Sequence, residues 1–277
     1  MPEPIRRIFL MPMLQLILLA LIQGITEFLP ISSSGHLILL PNLTGMADQG
    51  LAIDVAVHLG TLAAVILYFW ADVRTGLRGL ADLGRGRRDT PGARLALGLG
   101  IATIPVVIAG MVLKLTGIDA QLRSVVVIGW TMLGFGILLW WADQKGAAIK
   151  TEADWTLGEA FKMGLWQTVA LFPGTSRSGI CITGGRFMGY TRHDAAKLSM
   201  LMSIPTILAS GVLLAADVAG QANAQVAIDG LIGAVFAFGA ALAALALMMR
   251  LLQSVSFTPY VIYRVLLGAG LLLWVYT

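Results

Sequence analysis

The spacing of the charges constrains this chain more than any motif in it. Asp54 and Asp72 enclose Val55–Ala71, Arg94 and Lys114 enclose Leu95–Leu113, and Arg123 and Asp143 enclose Ser124–Ala142, all three stretches free of Asp, Glu, Lys and Arg. Further on, Lys197 and Asp217 enclose Leu198–Ala216, Asp229 and Arg250 enclose Gly230–Met249, and Val255–Tyr276 is interrupted only by Arg264. Each stretch is close to the ~20 apolar residues that carry a helix across a ~30 Å hydrocarbon core. No water reaches that core, so the backbone must satisfy its own hydrogen bonds. The expectation is an all-α polytopic membrane protein with six transmembrane helices, three in each half.

Composition agrees, with 57% hydrophobic and 12% charged residues against roughly 25% charged in soluble domains. The net charge of +4 resides in short loops, where membrane topology accounts for it, and nucleic acid is not an expected partner. Cys181 is the sole cysteine, which excludes an internal disulfide and supplies no zinc cluster. Arg6 and Arg7 precede an apolar run to Gly24 that superficially resembles a signal peptide. No small-x-small cleavage site follows, so the segment is kept in the mature protein, a single integral membrane domain over residues 1–277.

Two polar breaks interrupt the apolar pattern. The first is Gln23 to His36, where helical periodicity from about Leu14 to Phe28 meets Pro30, and the serines 32 to 34 can cap a short helix through His36 to Leu40, ending by Pro41 and Asn42. A helix of ~15 residues rises only ~22 Å, so helix, break and helix read as a re-entrant hairpin. Irregular backbone at membrane depth survives only when buried or lining a wet cavity. The second break, Pro173 to Gly179, divides Met163 to Tyr190 in the same way. An offset of 144 pairs Gln23 with Gln167, Phe28 with Phe172, Ser32 with Ser176, Ser34 with Ser178 and Gly35 with Gly179. The expectation is a repeat, about 1–143 and about 155–277.

Loop charges orient the two units. Arg74, Arg78, Arg85, Arg87 and Arg88 lie between Asp72 and Arg94, whereas the counterpart loop from Asp217 to Asp229 has no Lys or Arg. By the positive-inside rule the first loop is cytoplasmic and the second outside, so the repeats are inverted and one hairpin enters from each face. Such an architecture places a site where the hairpins meet.

Several residues at the breaks carry chemistry. Gln23 and Glu27 share a helical face and can offer an amide oxygen and a carboxylate to a hard cation or a proton. The alternative is an interhelical hydrogen bond and a structural acid paired with an arginine. The serines cap a helix as readily as they supply a nucleophile, and His36 is either a base beside them or a structural hydrogen bonder. Arg177, flanked by Ser176 and Ser178 and by Gly174 and Gly179, is the sole charge between Lys162 and Arg186. Its planar fork suits phosphate, and a helix starting near Ser176 would add its positive end. An arginine snorkelling to an interface is the plainer alternative.

Gln23-x-x-x-Glu27 followed by Pro-Ile-Ser-Ser-Ser-Gly-His36, together with Pro173-Gly-Thr-Ser-Arg-Ser-Gly179, resembles the bacitracin-resistance family of undecaprenyl-diphosphate phosphatases. The resemblance covers essentially the whole chain. It implies removal of the terminal phosphate of a membrane-borne isoprenoid diphosphate among bilayer lipids, recycling the carrier for cell-wall synthesis with a divalent cation, Mg²⁺ or Ca²⁺. It also implies a bacterial cytoplasmic (inner) membrane location, a site open to the outside, and a homodimer. Carried over by position, Gln23 and Glu27 are its metal pair, Ser32 and Ser33 its serine pair, His36 its histidine, and Ser176, Arg177 and Ser178 its second motif. Gln23 is the neutral option at its position, and Cys181 stands where the motif ends in Thr.

The expected mechanism has Ser33 attack phosphorus, His36 take its proton, and Arg177 with a Glu27-bound cation neutralise the phosphoryl oxygens. Ser32, Ser34, Gly174, Thr175, Ser176, Ser178 and Gly179 are the expected phosphate cradle. His36 or a water activated by Glu27 are alternative nucleophiles. A transporter that flips a polyprenyl phosphate or moves a small anion is the competing class, because inverted repeats also build transporters. Asp54, His58, Arg186, Arg192, Asp194 and Arg264 receive no role.

Overall fold

The computed structural model describes residues 12–45, 48–219 and 223–277; the expectation about Arg6 and Arg7 lies outside them. Regular structure among these residues is helical. In chain order the helices are α1 Met13–Phe28, α2 Ser33–Thr44, α3 Leu51–Tyr68, α4 Trp70–Gly84, α5 Pro91–Thr116, α6 Ile118–Leu122, α7 Val125–Lys145, α8 Leu157–Thr168, α9 Arg177–Phe187, α10 Arg192–Ala219, α11 Ala224–Leu251 and α12 Thr258–Tyr276. Six of them, α3, α5, α7, α10, α11 and α12, are long and apolar enough to cross a bilayer, and they coincide with the six stretches between charges. This is a multi-pass membrane protein.

Two expectations need correction. The second short helix does not end at Pro41 but runs through it to Thr44, where Gly45 in the left-handed region closes it with its N–H on Pro41 O. A proline inside a helix leaves the fourth carbonyl before it unbonded, a cost that surrounding helices can offset at membrane depth. The arginine-rich segment after Asp72 is not a bare loop. It contains α4, whose Trp70, Leu77 and Leu80 are exposed, while Gly79 comes so close to Gly92 that a Cβ would lie 2.0 Å from its carbonyl oxygen.

The helices pair across the two halves. α1 packs on α11 and α8 on α5, while α3 packs on α11, α10 on α5, and α7 on α12. Close approach rests on small residues, as is usual where lipid offers no hydrophobic drive. A Cβ on Gly60 would lie 2.2 Å from Ala234 O, and one on Gly24 2.6 Å from Ala237 O. α1 and α8 begin 144 positions apart, as do α2 and α9. The short helices therefore recur at the sequence offset that pairs the two breaks, and each pair is wedged among long ones.

Candidate active site

The second short helix of each pair, α2 and α9, begins at a serine with an unusual backbone. Ser32 has φ 74° and Ser176 φ 71°, a region that residues with a Cβ seldom occupy, at a cost of about 1–3 kcal/mol each. Both serines are N-caps. Ser32 Oγ accepts from Gly35 N at 3.3 Å and Ser176 Oγ from Gly179 N at 3.1 Å. The two breaks touch one another: Ser178 Oγ donates to Leu29 O at 3.0 Å. Gly174, at φ +87°, has no room for a Cβ, which would meet Thr131 Oγ1 at 2.2 Å.

Side chains from four helices, α1, α2, α3 and α9, meet at one carboxylate. Glu27, at the end of α1, accepts from Gln23 Nε2 at 2.9 Å and from Ser33 Oγ at 2.6 Å through the same oxygen, Oε2. Its Oε1 accepts from Arg177 Nη2 at 3.0 Å, a charge-assisted bond between the two breaks. His58 of α3 brings Nε2 to 3.7 Å from Oε2. The other arm of Arg177 donates to Ser199 O of α10 at 3.0 Å, which fixes the guanidinium plane.

A cavity of about 390 Å³ opens onto this group. Glu27, Ser32, Ser33, Ser34, Asp54, His58, Ser176 and Arg177 form its polar end, and Val55, Leu59, Val106, Leu171, Ile207 and Leu214 are among its apolar walls. One end suits a charged group and the rest a hydrocarbon.

The expected site residues divide accordingly. Glu27, Ser33 and Arg177 come together at the cavity, with Ser32, Ser34 and Ser176 beside them. Ser178 and Thr175 are fully buried, and Ser178, Gly174 and Gly179 are used in joining or capping the breaks. His36 stands apart from Ser33: its Nδ1 lies 2.6 Å from Ser32 O and its Nε2 2.6 Å from Tyr263 Oη, with the two rings stacked. The acceptor facing the Ser33 hydroxyl is Glu27. Gln23 is fully buried and turns its amide nitrogen to Glu27; its Oε1 is buried and unpartnered. Cys181 is buried, with its thiol directed to Gln167 Oε1 at 3.8 Å, so the departure from Thr falls in packing.

Asp54 and His58 are cavity residues to which the sequence reading gave no role. The signal available for them was their i, i+4 spacing at the start of a span; His58 Nδ1 sits 2.7 Å from Asp54 O, which turns Nε2 toward Glu27. Among the described residues no three His, Cys, Asp or Glu side chains form a metal-binding group.

The family model for bacitracin resistance protein BacA matches residues 16–270. The chain belongs to this family. It is 69% identical to an undecaprenyl-diphosphatase of Ruegeria pomeroyi over 95% of this chain and 98% of that protein. It is 65% identical to one of Roseobacter denitrificans, over 96% and 100%, and 46% identical to one of Hahella chejuensis, over 96% and 99%. Every site residue described above falls within the matched span. The family assignment and the carboxylate, hydroxyl and guanidinium group thus refer to the same part of the chain.

Proposed function

We propose that this chain hydrolyses undecaprenyl diphosphate to the monophosphate and inorganic phosphate, at the cavity between the two breaks. The observation that carries this reading is the single carboxylate that accepts from both Ser33 and Arg177. A nucleophile, its base and an anion-binding guanidinium thereby face one apolar-walled pocket. A solute or lipid transporter would need the arginine, but it has no use for a hydroxyl held on a carboxylate.

The terminal phosphate lies between Ser33 and Arg177, with the lipid chain along the apolar walls. Ser33 Oγ gives its proton to Glu27 as it bonds to phosphorus, and the bridging P–O bond breaks to release the lipid monophosphate. Water then displaces Ser33 from phosphorus, both of its protons leaving with inorganic phosphate as H2PO4⁻, and the proton on Glu27 returns to Ser33 Oγ. Arg177 and the first-turn amides of α2 and α9 other than those of Gly35 and Gly179, which the serine caps take, balance the charge on the phosphoryl oxygens. This assignment gives Glu27 the role of base and makes His36 a support for α2.

Glu27 would hold a divalent cation, Mg²⁺ or Ca²⁺, together with oxygens of the substrate, because hard cations are commonly held by one or two carboxylates plus substrate phosphates. When bound it supplies charge neutralisation at the phosphates. Gln23 orients the Glu27 carboxylate through its amide nitrogen, while its own Oε1 is buried away from the cavity lining.

The reading includes an inverted-topology repeat with two re-entrant hairpins, supported by the common 144-residue offset of α1 and α8 and of α2 and α9 and by the exchange of partners between halves. It places the cavity toward the outer face of the cytoplasmic membrane. In support, Val106, Val107 and Gly110 of α5 and Leu213 and Leu214 of α10 line it, in the halves of those helices remote from the arginine-rich segment. A homodimer belongs to the same reading, on the family resemblance.

Phosphate release from undecaprenyl diphosphate by purified protein, with and without EDTA, tests the whole. Release by wild type and its loss in Ser33→Ala is the expected result. No release in any cation would turn the reading toward transport. A phosphoenzyme trapped by acid quench is expected on Ser33; a phosphorylated His36 would replace the nucleophile.

A further inference from the structure

Arg264, in the middle of α12, is 0% exposed. A buried charge at membrane depth is costly unless every donor is used, and such residues mark function. Its partners are backbone carbonyls. Nη1 donates to Pro30 O at 3.3 Å; Nη2 faces Gly174 O at 3.2 Å, Thr175 O at 2.8 Å and Thr131 O at 3.3 Å; Nε donates to Met132 O at 3.3 Å.

The identity of those carbonyls is informative. Pro30 lies two residues before the strained Ser32, and Gly174 and Thr175 immediately precede the strained Ser176. Thr131 and Met132 belong to α7, and Thr131 Oγ1 itself donates to Pro173 O at 2.6 Å. One guanidinium therefore binds both breaks and the helix behind them. Space is reserved for it: a Cβ on Gly179 would come 2.9 Å from Nη1, and one on Gly136 of α7 3.2 Å from the Arg264 Cβ. A residue serving only to pack α12 on α7 has no need to reach carbonyls on two separate hairpins.

We infer that Arg264 is the positioning residue that holds the two breaks in register, so that Ser33 and Arg177 stay on the same Glu27 carboxylate. The inference rests on the phosphatase reading. Without this clamp the Ser178 hydroxyl on Leu29 O and the Arg177–Glu27 pair are left to join the breaks, and the distance from Ser33 to a phosphate held by Arg177 is less tightly fixed.

Arg264→Lys keeps the charge but loses the fork, so it cannot serve both breaks at once. Its kcat for undecaprenyl diphosphate is expected to fall about 100-fold, as for a reacting group displaced by ~1 Å, with KM little changed. The melting midpoint in detergent and the elution volume should stay near those of wild type. Wild-type kcat in Arg264→Lys overturns the inference, as does a loss restored in full when added lipid raises the melting midpoint. If that variant does not fold, Gly136→Ala decides, since it presses on Arg264 from α7 and is remote from the cavity. A lower kcat at unchanged KM is expected there, and unchanged kcat overturns the inference. Wild type is assayed in parallel; its failure to release phosphate would sink the phosphatase reading and not the clamp.

Discussion

The two breaks share a backbone and differ in what they carry. Ser32 and Ser176 have φ 74° and 71° and ψ 92° and 111°, and each caps a helix through a glycine three residues on. At the same offset Glu27 faces Leu171, Ser33 faces Arg177 and His36 faces Ile180. The shared positions make a helix N-terminus at membrane depth; the differing ones give the first break a hydroxyl and an acid and the second a cation. Both N-termini reach the same cavity, and the positions at which they differ supply its chemistry.

Disabling the first break should therefore abolish turnover, whereas disabling the second should weaken it. Ser33→Ala is expected to reduce phosphate release by about 10⁴-fold or more, the scale seen when a nucleophile is removed. Its melting midpoint should match wild type, because Ser33 is not the capping residue. Glu27→Gln keeps shape but cannot accept the Ser33 proton, and should cost about 10²–10⁴-fold in kcat. Arg177→Lys retains a charge without the bidentate fork and should cost about 10²–10³-fold. A larger loss in Arg177→Lys than in Ser33→Ala would reverse the division between the breaks.

His36 belongs to the first break by sequence but not to its reacting atoms, since it joins Ser32 O to Tyr263. His36→Asn is expected to lower kcat by about tenfold through the position of α2, and to leave the pH dependence of kcat unchanged in shape. Loss of one limb of that profile in His36→Asn would make His36 the base, as its place in the sequence suggested.

The sequence revealed what depends on local pattern. Five uncharged stretches and a sixth interrupted only by Arg264 became six long helices, and Pro30 and the Pro173-Gly174 pair became breaks, because charge cost and proline geometry act over a few residues. Glu27 and Arg177 were recognisable because ionisable groups at such breaks have few ordinary uses. What stayed hidden depends on distant partners. His58 shares the cavity only because α3 packs beside α1, and Arg264 looked like a stray charge in a span until five carbonyls from three segments surrounded it. His36 was drawn to Ser33 by proximity in the chain, yet the Ser33 hydroxyl turns to Glu27 while the His36 ring is held between Ser32 O and Tyr263. α4 was missed because its arginines disguised an amphipathic helix as a loop.

The smallest expected effect separates the shared backbone from the differing chemistry. At Ser176 two terms oppose each other: the hydroxyl caps α9, and the Cβ is strained at φ 71°. Ser176→Ala removes the cap and keeps the strain, and should lower stability by about 1 kcal/mol. Ser176→Gly removes both, and because glycine occupies positive φ freely and costs only a few tenths of a kcal/mol at an N-cap, stability should be nearly unchanged. If Ser176 serves only the backbone, Ser176→Gly retains most of the wild-type kcat. A large loss of kcat in a stable Ser176→Gly would show instead that its hydroxyl touches phosphate, and would move part of the anion site from Arg177 to the cap itself.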